Sequence, residues 1–307
     1  MYSDNKGTGN KIWLYVGILL AIAAVIGAVY IAVRYKNRID AENTYRELSE
    51  NVNSVSGNDQ AQDAAGVNAS VADTEGDESQ GLSPEGLLLA SGEGDVSGNN
   101  EEVPEAVSEA PSKGIDWDEL HETNPDIYAW IYVPGTSIDY PVLQHPSSNE
   151  YYLNHNLDGS YGFPGVIYTE NYNSKDFTDP NTVVYGHNMD NTTMFSTLHN
   201  FRNPDMVNEP HYIYIYTEDG RTLVYEVYAA YIYPSIHLLL NFDVSNDYIF
   251  EQYLRNISNM DSTSSDLANI RHDIDVTVSD RIITLSTCTT DHDASKRFLV
   301  TGVLLNP

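Results

Sequence analysis

The hydropathy pattern divides the chain into three stretches. From Ile12 to Val33, "IWLYVGILLAIAAVIGAVYIAV" runs 22 residues without a charge. A helix of that length, rising 1.5 Å per residue, spans a hydrocarbon layer of ~30 Å. It is longer than the ~7–15 apolar residues of a cleavable signal peptide. Lys6 and Lys11 precede it, and Arg34, Lys36 and Arg38 follow. Residues 12–33 therefore read as a transmembrane anchor behind a cytoplasmic N-terminus, 1–11. The basic residues nearly balance across it, but a long acidic C-terminal portion translocates largely regardless of charge. Residues 34–49, "RYKNRIDAENTYRELS", continue as a short helical extension.

The second stretch, 50–113, carries no periodicity. Between Glu50 and Ser112 it holds 14 Asp and Glu, no Lys or Arg, and no aromatic residue. Such a segment buries too little apolar surface to offset the entropy of ordering it. Like charges also extend it. It reads as a disordered acidic linker that holds the rest of the chain away from the bilayer.

The third stretch, 114–307, reads as short runs of strand composition separated by turns. "IDWDELHETNPDIYAW" opens it as a short amphipathic helix with Trp117, Leu120 and Ile127 on one face, broken at Pro125. Eight runs of strand composition follow: "WIYV", "SIDYPVL", "GVIYT", "NTVVY", "HYIYIYT", "RTLVYEVYAAYIY", "RIITLST" and "RFLVTGVLL". Asp219-Gly220 between the fifth and sixth marks a hairpin turn. One helix interrupts the later strands. From Asn246 to Met260, Tyr248, Ile249, Tyr253 and Ile257 recur at helical spacing. Many short strands with few helices between them fit an all-β sandwich or barrel better than an alternating α/β fold.

Composition narrows the function. The 307 residues carry a formal net charge of -30. Nucleic-acid binding needs clustered Lys and Arg to displace counterions, and no such cluster exists. The single cysteine, Cys288, excludes an intramolecular disulfide framework and multi-cysteine metal centres. In the loop "TTDHDASK", His292 with Asp291 and Asp293 is too sparse for a metal site, so neither metal nor cofactor is expected.

Three residues with chemistry sit where strands meet loops. Cys288 ends "RIITLSTC", His187 closes "TVVYGH", and Arg297 begins "RFLV". Strand ends offer exposure on a rigid support. A thiol with an ordinary pKa near ~8.5 is only slightly ionised at neutral pH, and a neighbouring cation or base activates it. A His moves the proton to a leaving amine. An Arg stabilises an oxyanion. Together they make an acyl-transfer site. Taken singly, Cys288 is equally a small buried hydrophobe, His187 is one of nine histidines, and Arg297 is a surface charge. On residue chemistry alone the chain is a cysteine acyltransferase, a hydrolase, or a binding domain with an inert thiol.

The motifs narrow this further. "YVPGTSIDYPVLQ", "NEYYLNHNLDGSYGFPGVIY", "TVVYGHNMDNTTMFSTL" and "TLSTC", with Arg297 nine residues beyond the cysteine, occur in one order. In that order the chain resembles the class B sortases, cell-surface cysteine transpeptidases of Gram-positive bacteria. The helical insertion before the cysteine strand is similar too. The resemblance covers most of residues 115–307 and implies an eight-stranded β-barrel with Cys, His and Arg at one rim. It implies Cys288 as nucleophile, His187 as general acid/base, and Arg297 as stabiliser of the oxyanion and substrate. Tyr185 and Ser286, two residues before the His and the Cys, are implied as substrate-groove positions. Met189, Met194 and Phe195 match the same motif and read as packing beside the His loop. Thr301 departs from the pattern, which leads one to expect a His there. The resemblance further implies secreted proteins bearing a C-terminal sorting signal as substrates. The acceptor would be a cell-wall precursor or pilin amine, at an extracellular catalytic domain held to the cell membrane by a single pass.

Overall fold

The computed structural model describes residues 7–66, 104–260 and 267–307, with the side chains of the first helix described from Trp13 to Ser54. Helix α1 runs from Gly7 to Gly66, α2 from Glu105 to Ser108 and α3 from Trp117 to Thr123. Strands β1 (Ile127–Tyr132), β2 (Asp139–Leu143), β3 (Ile167–Thr169) and β4 (Asn181–Tyr185) follow. After α4 (Asp205–Asn208) come β5 (Tyr212–Thr217) and the long β6 (Thr222–Pro234). Helices α5 (Leu238–Asn241) and α6 (Asp247–Ser258) lead to β7 (Ala268–Ile270), β8 (Ile282–Cys288) and β9 (Lys296–Leu304).

The strands pair in the order β5-β1-β2-β3-β4-β8-β9-β6, and β5 pairs again with β6. That last pairing closes an eight-stranded barrel and leaves only β7 outside it, on the edge of β6. All eight strand runs expected from the sequence belong to this ring. Closure removes the unpaired edges that an open sheet exposes. Two neighbours run parallel, β2 with β3 and β4 with β8; the other pairs are antiparallel.

Alternation along β8 and β9 explains their nearly unbroken apolar sequence. Ile283, Leu285, Phe298 and Val300 point into the barrel beside Trp130, Phe195 and Phe201. Ile282, Leu299 and Val303 point outward, where α6 covers them. Both faces are buried, so the polar half of the pattern disappears. The apolar stripe of α6 is Phe250, Tyr253, Leu254 and Ile257, at helical spacing. Tyr248, expected on that stripe, lies on the opposite side and is 70% exposed. Asn246 caps the helix, its side chain accepting from the amides of Tyr248 and Ile249. This N-cap sets the start one turn before the buried stripe. Helix α3 ends at Thr123, and Ile127 belongs to β1, because Pro125 and the residues around it turn the chain into the barrel.

The N-terminal part departs from the expected boundaries. Residues Trp13 to Val33 form an exposed apolar stretch long enough to cross a membrane. The helix then continues past residue 49 as far as Gly66. Tyr45, Leu48 and Val52 are buried against the barrel. They recur at i, i+3 and i+7, one face of a helix. Burying side chains of this size contributes of order 2 kcal/mol each. Polar contacts complete the dock. Ser49 and Asn53 donate to Asp139, and Lys113 pairs with Asp139 at 2.8 Å with its side chain only 3% exposed. At the other end of the expected linker, α2 packs Ala106 and Val107 on the core, and Tyr216 donates to the Pro111 carbonyl at 2.7 Å. The remainder of that linker lies outside the described residues. Thr301, where a His is expected, is fully buried in β9, within hydrogen-bond reach of the Tyr231 hydroxyl.

Candidate active site

Register pairs Cys288 with Arg297 and sets the ends of β4 and β8 level, so that His187 follows beside them. β4 and β8 are parallel, with Tyr185 opposite Ser286. Two residues further along each chain stand His187 and Cys288. β8 and β9 are antiparallel, with Cys288 directly opposite Arg297. Residues opposite one another in an antiparallel pair share a face. Ser286 lies two residues before Cys288 and is paired with Leu299, which points outward. The site therefore opens on the outer wall of the barrel at one rim, next to the α5–α6 insertion. Tyr185, Ser286, Arg297 and Leu299 line one side of a cleft of about 150 Å³, and Ser235 to Leu238 line the other.

Cys288 is half-buried, the last residue of its strand. Its flanks are tied down by side chains. Thr287 Oγ1 donates to the Gly186 carbonyl at 2.8 Å, joining β8 to the turn before His187. Asn188 Nδ2 donates to the Thr289 carbonyl at 3.3 Å. His199 Nε2 donates to the carbonyl of Cys288 itself at 3.0 Å, and its ring stacks on Phe298. A carbonyl only accepts, so Nε2 carries the hydrogen. His199 Nδ1 is buried without a partner. Burial holds the His199 imidazole below its ordinary pKa, which favours this neutral form.

His187 follows the end of β4, and the loop 153–165 wraps it. Its Nε2 donates to the Leu153 carbonyl at 2.7 Å. By the same reasoning Nε2 is protonated and Nδ1 is the basic atom. The edge of Phe163 meets the ring at 5.0 Å. Gly165, with φ at +68°, presses its backbone on the ring. A Cβ there would lie 3.2 Å from the imidazole and 3.0 Å from the Tyr152 carbonyl. Burial lowers the His187 pKa, and the bond to Leu153 offsets this only in part. At neutral pH the ring is an uncharged base. The loop carrying His187 folds back through Phe195, whose amide donates to the His187 carbonyl, and Met194, whose amide donates to the Tyr140 hydroxyl. Met189, Met194 and Phe195 are buried there, in the barrel core.

Arg297 holds its guanidinium by its own strand, Nη1 donating to the Lys296 carbonyl at 2.8 Å. Tyr168 stacks on Tyr185, and the Glu170 carboxylate lies near the Tyr185 hydroxyl. Burial raises the pKa of the Tyr185 hydroxyl, which stays protonated. Glu170 also faces His237 at 2.5 Å. Because His237 Nδ1 accepts from the Leu240 amide, Nε2 is the donor to the carboxylate. Burial pushes the Glu170 carboxyl upward, and His237 partly offsets it.

The sequence singled out Cys288, His187, Arg297, Tyr185 and Ser286, and the fold gathers them at one rim. His199, His237 and Glu170 escaped it. His237 had one local signal, a polar residue preceding "LLL" where it caps α5. His199 and Glu170 had none, because their partners lie 89 and 67 residues away. Among the described residues no three His, Cys, Asp or Glu side chains are grouped as a metal site.

Residues 131–305 match the Sortase domain family model. The chain is 33% identical over 190 residues to sortase B of Listeria monocytogenes, covering 61% of this chain and 73% of that protein. It is 30% identical to sortase B of Staphylococcus aureus, covering 62% and 74%. Among solved structures, sortase B of Clostridium perfringens aligns with a TM-score of 0.53 at 33% identity, over 62% of this chain and all of that one. The Staphylococcus aureus sortase B–substrate complex aligns with a TM-score of 0.51 at 31% identity, over 61% and 83%.

Proposed function

The chain belongs to the sortase family of transpeptidases, in class B, and from that premise we propose that Cys288, His187 and Arg297 carry out a thioacyl transfer on a sorting signal. The observation supporting this most directly is register. The thiol stands opposite a guanidinium on one side and level with a neutral imidazole on the other.

His187 Nδ1 takes the Cys288 proton as the thiolate attacks the peptide carbonyl of the signal. Arg297 donates to and stabilises the negative charge that develops on the carbonyl oxygen. The C–N bond breaks, and the imidazolium returns its proton to the leaving amine. The thioacyl-enzyme then waits for an acceptor. An incoming amine gives its proton to His187 and attacks the thioester, and Cys288 leaves as thiolate and is reprotonated. A neutral His187 at rest suits the first step, since it must accept a proton before it can donate one. Tyr185 and Ser286 border the acyl group in the outer cleft, and the Glu170–His237 pair holds the floor beneath Tyr185. The substrate is a secreted protein carrying the signal near its C-terminus. The acceptor is a cell-wall peptide or pilin amine. The apolar half of α1 anchors the chain in the membrane, with the barrel on the extracellular side.

The test uses the full chain in detergent with a panel of Asn-Pro and Leu-Pro pentapeptides, followed by mass spectrometry. A covalent adduct on Cys288 is expected with one peptide class, absent in Cys288→Ala and discharged to a ligated product by an added amine. Discharge at one rate with and without amine would make the enzyme a hydrolase. A thiol that forms no adduct and resists alkylation would overturn the reading.

A further inference from the structure

Helix α1 joins the anchor to the barrel without a break, and it touches the barrel at the loop that wraps His187. The last residue of the apolar run is Val33. The next, Arg34, donates to the Tyr161 carbonyl at 3.5 Å and sits 5.4 Å from the centre of the Tyr161 ring. Its guanidinium also lies 3.7 Å from the position a Cβ would take at Gly162. About three turns further along the helix, Tyr45 is buried and donates its hydroxyl to the Gly165 carbonyl at 2.7 Å. Its ring meets Tyr140 edge-on at 5.8 Å. The loop, bridged at His155 and Tyr161, is thus pinned to the helix at Arg34, directly past its apolar stretch, and again at Tyr45.

The same loop carries large apolar side chains that the barrel leaves uncovered. Tyr161 is 61% exposed, Phe163 48% and Leu153 40%. Aromatic rings are enriched at the level of lipid headgroups, where one side is apolar and the other wet. An Arg at the end of a spanning helix marks that same level. Asp158 at the tip of the loop is exposed to solvent, which limits the loop to the interface and keeps it out of the hydrocarbon.

We propose that the rim of the active site is seated on the membrane surface: docking of α1 sets Tyr161, Phe163 and Leu153 into the headgroup layer of the bilayer that the first half of the helix crosses. The inference rests on residues 12–33 being the anchor and on the rim being the reaction site. It departs from a barrel held away from the bilayer by an acidic spacer. Its consequence is that the thioacyl group forms beside the lipid surface, where a lipid-linked acceptor amine needs no reach.

The experiment uses the full chain in nanodiscs of phosphatidylethanolamine and phosphatidylglycerol. Cys288 is the only cysteine, so Cys288→Ser frees the chain for one nitroxide at a time. Labels go on Tyr161→Cys and Phe163→Cys, on Val25→Cys in the apolar run, and on Tyr248→Cys, exposed on α6. Power saturation by oxygen and by a water-soluble nickel chelate reads the depth of each. At 161 and 163 a loss of nickel access and a gain in oxygen access relative to 248 is expected, short of the values at 25. In a Tyr45→Ala, Leu48→Ser background the 163 label is expected to regain nickel access. Labels at 161 and 163 that match 248 while 25 lies deep would overturn the inference. Nickel access at 25 would instead overturn the anchor on which it rests.

Discussion

Two sides of the active site are built differently. Cys288 and Arg297 face each other at the rim end of the β8–β9 ladder of backbone hydrogen bonds. Their positions follow from strand pairing, which a core of fully buried side chains such as Leu285, Phe298 and Val300 enforces. His187 stands beyond the end of its strand. It is held by a loop: Leu153 bonds it, Phe163 and Gly165 flank it, and Tyr45 of α1 pins that loop from 120 residues away. The nucleophile and the cation are thus set by register, and the base by long-range clamping. The difference teaches that the base is the member of the site most open to adjustment by the rest of the molecule.

The largest expected effect breaks the register side. Arg297→Ala should lower kcat/KM by ~10²–10³-fold, the usual cost of one oxyanion donor, with the melting temperature nearly unchanged. Steady-state kinetics with the identified peptide would show it, and a loss under tenfold would remove Arg297 from the oxyanion. The next breaks the clamp side. Gly165→Ala introduces a Cβ against both the His187 ring and the Tyr152 carbonyl, at a φ of +68°. Misplacing a catalytic group by about 1 Å costs ~10²-fold in rate. Gly220→Ala, also at positive φ but with nothing within 4 Å, should cost stability and leave the rate intact. Equal rate losses in both variants would show that strain alone is responsible.

His199 belongs to the register side and sharpens it. His199→Phe keeps the stack on Phe298 and removes the bond to the Cys288 carbonyl. The loss should be about 1 kcal/mol, or several-fold in rate, seen as slower alkylation of Cys288. Smaller again is Tyr45→Phe, which removes one hydroxyl from the clamp. About 1 kcal/mol of stability should go, a fall of ~2–4 °C in a calorimetric scan, without loss of nucleophile reactivity.

The pH dependence compares the two sides directly. Burial depresses the pKa of His187, so its basic form persists below the ordinary His value of ~6.5. The acid limb of kcat/KM should therefore turn over below ~6.5. The sign for stability follows. Between the depressed folded value and ~6.5 the unfolded chain binds the proton and the native His187 does not, so stability rises with pH through that window. Below it the penalty is fully present. A limb at or above 6.5 would mean that His187 is solvated and the loop open.

The strands were legible because each is a local pattern: β-branched and aromatic residues in short runs, bounded by Gly, Pro and Asp. Cys288 and Arg297 were legible for the same reason, since their strands end where polarity returns. His187 was legible in the same way, closing "TVVYGH" at a strand end, but the clamp on its loop was not, because its partners are distant in sequence. The docking of α1 on the barrel was not read from the sequence. Tyr45, Leu48 and Val52 have helical spacing, but the stripe is thin and lies between an anchor and an acidic run, where composition argues for exposure.

The sequence by itself determined the elements: an apolar helix of membrane length, eight strands, one inserted helix and the chemistry at the strand ends. These depend on spacing within a dozen residues. The tertiary structure alone decided the closure of β5 on β6, the outward face of the site, the tautomer of His187, and the seat of α1 on the loop that holds it. Each of these depends on which distant backbone and side-chain groups meet, and loop closure over such separations leaves no periodic trace in the chain.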